Sequence, residues 1–440
     1  MTVVATVPAA MSGSLVAGVP GNIRVTEMTI VTLMLVAAVV AIGVSRMRVP
    51  YTIALVLVGV GLGASGAFDG VKLTGDLIFL VFLPPLLFEG ALNLDLGELR
   101  RRWFQVSVLA GLGTVVAAVV IAIGLVGVLG IPLRYAALLA VILAPTDPVS
   151  VLAILKESGI TGGLRTLLEA ESIFNDALGF VLYAIAVEIA FPTGATTTVA
   201  HALWQFTSEL GIGLGIGVVC GLVSHRLMAT LDDHLVEITL SLVTAFGAFL
   251  AATELGGSGL IATVVAGLLI GNFGTDQAMT ETSRAAVIEF WDVIVFLANS
   301  AIFLLIGMRF HPSQLGERGT ALAAAVCIVT VFVGRAFIAY GLFRPFTSSD
   351  ADPGNGQPVP PAWIPAIFWG GLRGTVPIAL VLGLDETRFA GIDASAVVFA
   401  TVVVSLVLQG VTYRPLLLRL GLTSGLTGAT GTPIRSGDAE

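Results

Sequence analysis

The chain has 440 residues and a net charge of −8; 56% of its residues are hydrophobic and only 11% are charged. Soluble domains carry about 25% charged residues, and the mean hydropathy here is +0.99. The composition therefore excludes a soluble enzyme, a disordered chain and a nucleic-acid-binding protein. It predicts an all-α polytopic membrane protein in contact with the lipid bilayer. The two cysteines and four histidines lack the spacing of metal ligands, so we expect no cofactor.

Thirteen apolar segments lie between glycines, prolines and charged residues, each compatible with a span of about 20 residues. We predict them near residues 28–45, 51–66, 76–96, 103–130, 134–157, 163–190, 200–228, 235–254, 258–272, 286–308, 319–345, 362–382 and 392–413. Together they form a single transmembrane domain, residues 1–420. Residues 421–440 are expected to be a short disordered cytoplasmic tail.

The basic residues predict the orientation of the chain. Thirteen lysines and arginines fall in the odd-numbered loops and the C-terminal tail, against six in the N-terminal arm and the even-numbered loops. Positive charge is retained on the cytoplasmic side of a membrane. The N-terminus is therefore expected outside the cell membrane and the C-terminus inside.

The third segment carries the first costly polar group. Pro84 and Pro85 interrupt an apolar run, and Glu89 follows them. An ionisable side chain in mid-membrane costs at least about 2.5–3.5 kcal/mol, and a functional role is its default interpretation. Two interpretations of Glu89 stay open: a role in the ion path or its gating, and a buried acid at a structural kink.

The fifth segment contains Pro145-Thr146-Asp147-Pro148 near its middle. Each proline removes a backbone donor and clashes with the preceding turn. We therefore predict a broken helix over 134–157, with free carbonyls and amides that could meet an ion. The alternative is a kinked helix with a structural aspartate.

The sixth segment contains Glu171, Ser172, Asn175 and Asp176. Residues four apart share a face of a helix, so four oxygen-bearing side chains converge within about two turns. Hard cations take oxygen ligands, and this pattern indicates a cation site; a polar cluster for helix packing is the alternative. Glu169, nearer the start of the segment, is expected to be a solvated end residue.

The eleventh and twelfth segments each hold an intramembrane arginine. Arg335 needs a buried carboxylate partner, and Glu171 is the candidate. Arg373 stands among glycines in Gly370-Gly371-Leu372-Arg373-Gly374, which predicts a second broken helix over 362–382. Because a cation would be repelled by Arg373, we expect this residue to balance carbonyl ends or acidic partners.

The two broken segments lie seven apart, the offset expected if segments 1–6 and 8–13 are inverted six-helix repeats. Such paired interrupted helices indicate an ion site at the middle of the membrane. A structural or mouth-lining role is expected for the remaining polar residues that lie at or near segment ends or in mixed surroundings, which are Glu237, Glu254, Glu289, Asp292 and Asn299.

Four motifs follow one another over about 300 residues: the run from Pro84 to Glu89, Thr146-Asp147-Pro148, the run from Glu171 to Asp176, and Gly370-Gly371-Leu372-Arg373-Gly374. In this order they resemble the motifs of the NhaP/NHE-type sodium/proton antiporters, in their prokaryotic branch. The resemblance implies a transporter rather than an enzyme, with monovalent cations and protons as its partners. It implies a homodimer in which each protomer has a core domain, approximately 103–190 and 319–413, and a dimerisation domain made of the remaining helices. The two broken helices would cross at the ion site.

The resemblance also implies residue roles. Asp176 would bind Na⁺ and the proton alternately. Ser172, the Thr146 main chain, Asp147 and Glu89 would complete the Na⁺ shell, directly or through water. Site-stabilising roles are implied for the other polar residues of the motifs: Asn175 at the helix crossing, Glu171 paired with Arg335, and Arg373.

The implied activity is exchange of Na⁺ or Li⁺ for H⁺ by alternating access. Electrogenic relatives carry Asp-Asp where this chain has Asn175-Asp176, so we expect electroneutral exchange of one cation for one proton. Exchange of K⁺, or of monovalent cations in general, is the alternative. An intramembrane aspartyl protease using Asp147 and Asp176 is disfavoured, because neither lies in a Gly-x-Gly-Asp context. A channel or non-transporting sensor on the same scaffold stays open.

Overall fold

The computed structural model describes most of the chain. The described residues are 21–44, 50–65, 75–160, 162–192, 199–231, 233–274, 279–310, 312–347, 358–384 and 387–423. The predicted tail at 421–440 therefore lies almost entirely outside the described residues.

A helix stands at each of the thirteen predicted segments, and we number them α1–α13. The first seven are α1 (Gly21–Val44), α2 (Tyr51–Ala64), α3 (Gly75–Leu77, a π-helical Ile78–Phe82, and Leu83–Asn93), α4 (Leu96–Leu129), α5a (Leu133–Leu143) with α5b (Pro148–Glu157), α6 (Gly163–Ala190) and α7 (Val199–Met228). The remaining six are α8 (His234–Glu254), α9 (Gly259–Leu269, continued by Ile270–Gly274), α10 (Glu281–Arg309), α11 (Arg318–Leu342), α12a (Trp363–Trp369) with α12b (Thr375–Leu382), and α13 (Ala394–Arg419).

Seven of these helices are long and apolar enough to cross a membrane by length and composition, and shorter apolar helices accompany them. Two of the other six, α5 and α12, are short because each is interrupted. Both predicted breaks are present, between Leu143 and Pro148 and between Trp369 and Thr375. Each half is therefore short, and the breaks occupy corresponding positions in α1–α6 and α8–α13.

Helix α4 begins about two turns earlier than predicted, at Leu96 rather than near residue 103. The Asp95 side chain caps it by accepting a hydrogen bond from the Glu98 amide at 2.9 Å. Glu98 then forms ion pairs with Arg101 and Arg102, both at 2.7 Å. These charged turns are amphipathic and lack the apolar run from which a span is predicted, so the sequence indicated a loop here.

A small element departs from the all-α expectation. Two-residue strands β1 (Arg388–Phe389) and β2 (Ile392–Asp393) pair antiparallel between α12b and α13. The turn between them contains Gly391 at φ 77°. This hairpin connects helices and leaves the helical architecture unchanged.

The helices pack in two groups. In the first, α2 packs on α10, and α9 packs on α3, α7 and α8. The contact between α2 and α10 is close because Gly59 and Gly307 face each other: a Cβ on Gly59 would lie 2.9 Å from the Cα of Gly307. In the second group, α4 packs on α5a and α11, α6 on α5a, and α11 on α13. Small residues at such contacts allow tight packing in lipid, where burial alone gives little association.

Candidate functional site

The two broken helices touch at their breaks. The backbone amide of Asp147 donates a hydrogen bond to the carbonyl oxygen of Leu372 at 2.7 Å. The guanidinium of Arg373, 1% exposed, donates through Nη1 to the carbonyl oxygen of Pro145 at 3.3 Å. Each break leaves backbone groups without a helical partner. At this crossing, the opposite broken helix supplies hydrogen-bond partners for some of these backbone groups.

A glycine permits this close approach. A Cβ on Gly374 would lie 2.5 Å from Oδ2 of Asp147 and closer still to its Cβ and Cγ. Gly179 of α6 is similarly close to the other side of the break, because its Cβ would meet the ring of Pro145 at 2.5 Å. The crossing therefore depends on glycine at two positions.

The polar residues of α6 converge on the break in α5. Asn175 donates through Nδ2 to the Thr146 hydroxyl at 2.7 Å and accepts from the Thr146 amide at 3.3 Å. The hydroxyls of Thr146 and Ser172 share a hydrogen bond of 3.1 Å. All three residues are at least nine-tenths buried. The structure thus joins the motifs of segments 5 and 6.

Asp176 lies one residue beyond Asn175 and is 4% exposed. Its Oδ1 is buried and has no hydrogen-bond partner among the described residues. A buried acceptor without a donor costs about 1–3 kcal/mol, and more when it is charged. The described residues supply no donor to this oxygen, and a bound proton or cation would satisfy it.

Glu171 and Arg335 form a buried, two-pronged ion pair. Nη2 of Arg335 lies 2.8 Å from Oε2 of Glu171, and its Nη1 contacts Oε1. Nε of Arg335 also donates to the carbonyl oxygen of Ile367 at 3.0 Å. Both side chains are 3% exposed. The pair that charge burial led us to expect is present, and it links α6, α11 and α12a.

A cavity of about 220 Å³ leads to Asp176. Its polar lining consists of Glu89, Asp147, Lys156, Arg165, Glu169, Asp176, Asp292, Asn299 and Thr375. We call it the polar cavity. Three of these residues, Lys156, Arg165 and Asp292, form its mouth: Nζ of Lys156 lies 3.8 Å from Oδ2 of Asp292, and their side chains are 71% and 48% exposed.

Two glutamates, Glu89 and Glu169, also line the polar cavity. Glu89 accepts a hydrogen bond from Nδ2 of Asn93 at 2.7 Å. Glu169 is 3% exposed and lies 3.5 Å from Nε of Arg165. The expectation that Glu169 is a solvated end residue is wrong, because neighbouring helices around the cavity cover this part of α6.

Apolar contacts lie about one turn beyond Asp176 along α6, at Phe180. The rings of Phe79 on α3 and Phe180 on α6 meet edge to face with centroids 4.9 Å apart. A Cβ on Gly75 would lie 3.1 Å from the Cα of Gly383. We call these four residues the closed end. None of these four residues lines the polar cavity.

For two polar residues of the cavity the sequence indicated little: a structural or mouth-lining role for Asn299, and no role for Thr375. Asn299 is 7% exposed and buried within α10, and its Oδ1 has no hydrogen-bond partner among the described residues. Thr375 is the first residue of α12b and is 5% exposed. Both are uncharged, so neither carries the membrane cost that singled out the acidic residues and arginines.

The arrangement can bind one small cation or one proton. It offers Oδ1 of Asp176, which meets no donor among the described residues, and on the same helix the Ser172 hydroxyl, which is bonded to Thr146 of the α5 break. These are oxygen ligands of the type that hard cations prefer.

Comparison with known proteins agrees with this geometry. The family described as "Sodium/hydrogen exchanger, transmembrane" matches residues 30–419. The Na(+)/H(+) antiporter ApNhaP of Aphanothece halophytica is 38% identical over 378 residues, covering 85% of this chain and 70% of that protein. The Na(+)/H(+) antiporter NhaH of Halobacillus aidingensis is 30% identical over 407 residues, covering 89% of this chain and 97% of that protein.

A solved structure shares the fold. The sodium proton antiporter MjNhaP1 from Methanocaldococcus jannaschii, solved at pH 8, has a TM-score of 0.73 at 20% identity, covering 91% of this chain and 100% of that chain. The polytopic helical fold predicted from the sequence is confirmed. Because the family match spans nearly all of the membrane domain and full-length relatives reach 30% identity, this chain belongs to the sodium/hydrogen exchanger family, a family of transporters.

Proposed function

We propose that the chain is a secondary antiporter that exchanges Na⁺ or Li⁺ for H⁺, with both ions competing for Asp176. The observation that carries the proposal is the buried Oδ1 of Asp176, which has no partner among the described residues, in a residue that lines the polar cavity. The names of the relatives, Na(+)/H(+) antiporters in bacteria, support the same ions.

The proposed cation shell combines oxygen-bearing groups of α3, the α5 break and α6. Asp176 supplies the carboxylate, Ser172 a hydroxyl, and the Thr146 main chain a carbonyl. Asp147 and Glu89 line the same cavity as Asp176 and complete the shell directly or through water. Asn175 holds the α5 break in place through its two bonds to Thr146.

Two charged groups would stabilise the site without touching the ion. Arg373 bonds to the carbonyl oxygen of Pro145, so its charge balances a carbonyl end freed by the break. The pair of Glu171 and Arg335 ties α6 to α11 and α12a. Both arginines are thus placed to hold the crossing rigid.

Coupling follows from the cost of moving a bare charge. An unpaired carboxylate crossing the apolar closed end would cost several kcal/mol. The core would therefore move only when Asp176 holds a cation or a proton, which makes exchange obligatory. Since Asn175 stands where a second titratable group would be, only Asp176 carries a proton. One cation is then exchanged for one proton, and the exchange is electroneutral.

The packing groups support a division of the protomer into two parts. Helices α4–α6 and α11–α13, approximately 103–190 and 319–413, form the moving core domain, and the remaining helices form the dimerisation domain of a homodimer. Lys156 and Arg165 stand at the mouth. By the positive-inside rule the polar cavity then opens to the cytoplasm, with the N-terminus outside and the C-terminus inside the cell membrane.

The test uses proteoliposomes with an acidic interior and a trapped pH dye. Na⁺, Li⁺ or K⁺ is added outside under a clamped membrane potential. We expect Na⁺ and Li⁺ to make the interior more alkaline in the wild type and not in Asp176→Asn. An equal response to K⁺ would establish the alternative, a broad monovalent cation/proton antiporter. Absence of any cation-driven proton movement in folded protein would overturn the proposal.

The stoichiometry is tested in the same vesicles. For electroneutral exchange, the rate should not change when the potential is clamped at zero or at about −100 mV, because no net charge moves. A current that follows the imposed potential would show that more than one proton moves per cation. The other use of this scaffold, a channel, would pass Na⁺ without moving protons.

A further inference from the structure

The polar cavity has two unlike walls. One is built from the α5 break with α5b, from α6 and from α12b, and it carries Asp147 in the break, Asp176 and Thr375; the other includes a face of α10. Asp292, Val295, Phe296 and Asn299 line the cavity from α10 at spacings of three, four and seven residues. Such spacings place residues on one face of a helix. We call these four residues the α10 wall.

Asn299 is the deepest polar residue of the α10 wall. It lies seven residues beyond Asp292 at the mouth, or about 10 Å along the helix at 1.5 Å per residue. Between them stand the apolar Val295 and Phe296, and Asp176 lines the same cavity from α6. Asn299, which is 7% exposed, therefore lies deeper in the cavity than the exposed Asp292 and Lys156 at its mouth.

The bonding of Asn299 contrasts with that of its neighbour. Ser300 donates to the carbonyl oxygen of Phe296 at 2.5 Å, and its hydroxyl lies 2.8 Å from the hydroxyl of Tyr51. Asn299 is 7% exposed, and its Oδ1 meets no donor in the part of the chain that the structure describes. Buried polar groups in native proteins are nearly always bonded, and an exception indicates an unseen water, ion or functional role.

We propose that Asn299 is a cation ligand: its amide oxygen binds the transported ion, directly or through one water, while the ion occupies the polar cavity beside Asp176. The inference rests on the proposed antiport function and adds a ligand from the opposite wall. An amide oxygen is a neutral acceptor. It stabilises the cation without adding a titratable group, so the exchange of one cation for one proton is preserved.

The position of Asn299 also makes its contact with the ion specific to one conformation. Asp176 belongs to the proposed moving core, whereas α10 packs on α2 outside the core. When the core turns Asp176 towards the closed end, the ion leaves the α10 wall behind. Asn299 therefore favours the ion in the conformation described here, and its loss should weaken cation binding mainly from the side of the mouth.

The experiment compares Asn299→Ala with two references in everted and right-side-out membrane vesicles. Asp176→Asn reports on the main site, and Ser300→Ala removes a neighbouring hydroxyl that faces Tyr51 and Phe296 instead of the ion. We expect Asn299→Ala to raise the KM for Na⁺ about tenfold from the mouth side, the loss of one charge-assisted contact. From the other side the KM should change less than about twofold, and Ser300→Ala should leave both values unchanged.

A third variant separates a ligand from a structural residue. Asn299→Asp keeps the size and adds a carboxylate, so it should lower the KM for Na⁺ at high pH and make that KM depend more steeply on pH. A residue that only packs would show neither effect. A KM for Asn299→Ala within about twofold of wild type, or one raised equally from both sides, would overturn the proposal.

Cation binding without transport distinguishes failure of this inference from failure of the proposed function. Purified protein in detergent is heated with choline, Na⁺ or Li⁺ at equal ionic strength. A Tm raised by Na⁺ or Li⁺ in wild type and Ser300→Ala, but less in Asn299→Ala, supports the ligand role even if exchange is not measured. A Tm raised equally in all three overturns it while leaving the main site intact, and no rise in wild type overturns both.

Discussion

The amide of Asp147 and the carbonyl of Leu372 are joined by a 2.7 Å hydrogen bond, although 225 positions separate them in the chain. Each is a backbone group in a helix break. The bond therefore joins the two breaks at a residue, Asp147, that also lines the polar cavity. The geometry of the site depends on how closely α5 and α12 approach.

Gly374→Ala should disrupt this crossing. Its Cβ would overlap Asp147, as the short distances at Gly374 require, and backbone would have to move to relieve the overlap. We expect the exchange rate to fall at least about tenfold, since displacement by about 1 Å at a site can cost far more. The measurement is dye-detected exchange in proteoliposomes.

The matched control for that variant is Gly127→Ala in α4, where an added Cβ meets nothing within 4 Å. Its rate should stay within about twofold of wild type, because alanine favours a helix. If both variants exchanged equally well, the crossing would tolerate a shift that the structure does not allow.

Neutralising one member of the Glu171–Arg335 pair should destabilise the fold. Glu171→Gln leaves a guanidinium that is 3% exposed without its carboxylate. Breaking a buried pair in this way costs about 3–5 kcal/mol. We expect a lower Tm for Glu171→Gln and for Arg335→Gln in detergent, measured by tryptophan fluorescence.

The double variant Glu171→Gln/Arg335→Gln tests whether the two residues act as a pair. Coupled residues give non-additive effects, so the double variant should lose less stability than the sum of the single ones. Strict additivity would mean that the two groups act independently.

Lower pH should raise the KM for Na⁺. Protons and Na⁺ compete for Asp176, so each reduces the affinity for the other by the same factor. The KM should increase up to about tenfold per unit of falling pH, the limit when one proton is displaced per cation. The maximal rate at saturating Na⁺ should change far less. Initial rates from pH 6 to about pH 9 check this, and a slope above tenfold per unit would require a second proton.

Lys156→Gln at the mouth should ease the access of cations. The pair with Asp292 is exposed, and exposed pairs contribute only about 0–1 kcal/mol, so the Tm should scarcely change. Removing a positive charge raises the local cation concentration. We expect the KM for Na⁺ to fall about twofold at low ionic strength, and the difference to vanish at high salt because the charges are then screened.

Arg344→Gln is the control for this electrostatic effect. Arg344 precedes Pro345 in a short 3₁₀ turn after α11 and does not line the polar cavity. Its replacement removes the same charge elsewhere and should leave the KM unchanged. An equal fall in KM for both variants would point to the net charge of the protein instead of the mouth.

The costliest groups of the site were predictable from the sequence. Glu171, Arg335 and Asp176 stand in apolar runs, where a charge is so unfavourable that it needs a partner or a function. The breaks in α5 and α12 were predictable for a related reason, because proline and glycine at those positions are incompatible with a continuous helix. Strong local physics of this kind is visible without coordinates.

Features with weaker sequence signals were predicted less well. Asn299 is uncharged, so its presence in the apolar segment indicated only a structural or mouth-lining role and not its burial in α10. Glu169 was predicted to be solvated because other helices bury it, and the sequence does not show how those helices pack around α6. The early start of α4 at Leu96 was missed because charged turns can be helical when a cap such as Asp95 and ion pairs support them.

The closed end has a thermodynamic consequence. It is held by the rings of Phe79 and Phe180 and by the contact of Gly75 with Gly383. Opening it would hydrate apolar surface, which increases heat capacity. Hydrophobic contacts weaken on cooling, so low temperature should shift the resting population towards the conformation that is open at that end.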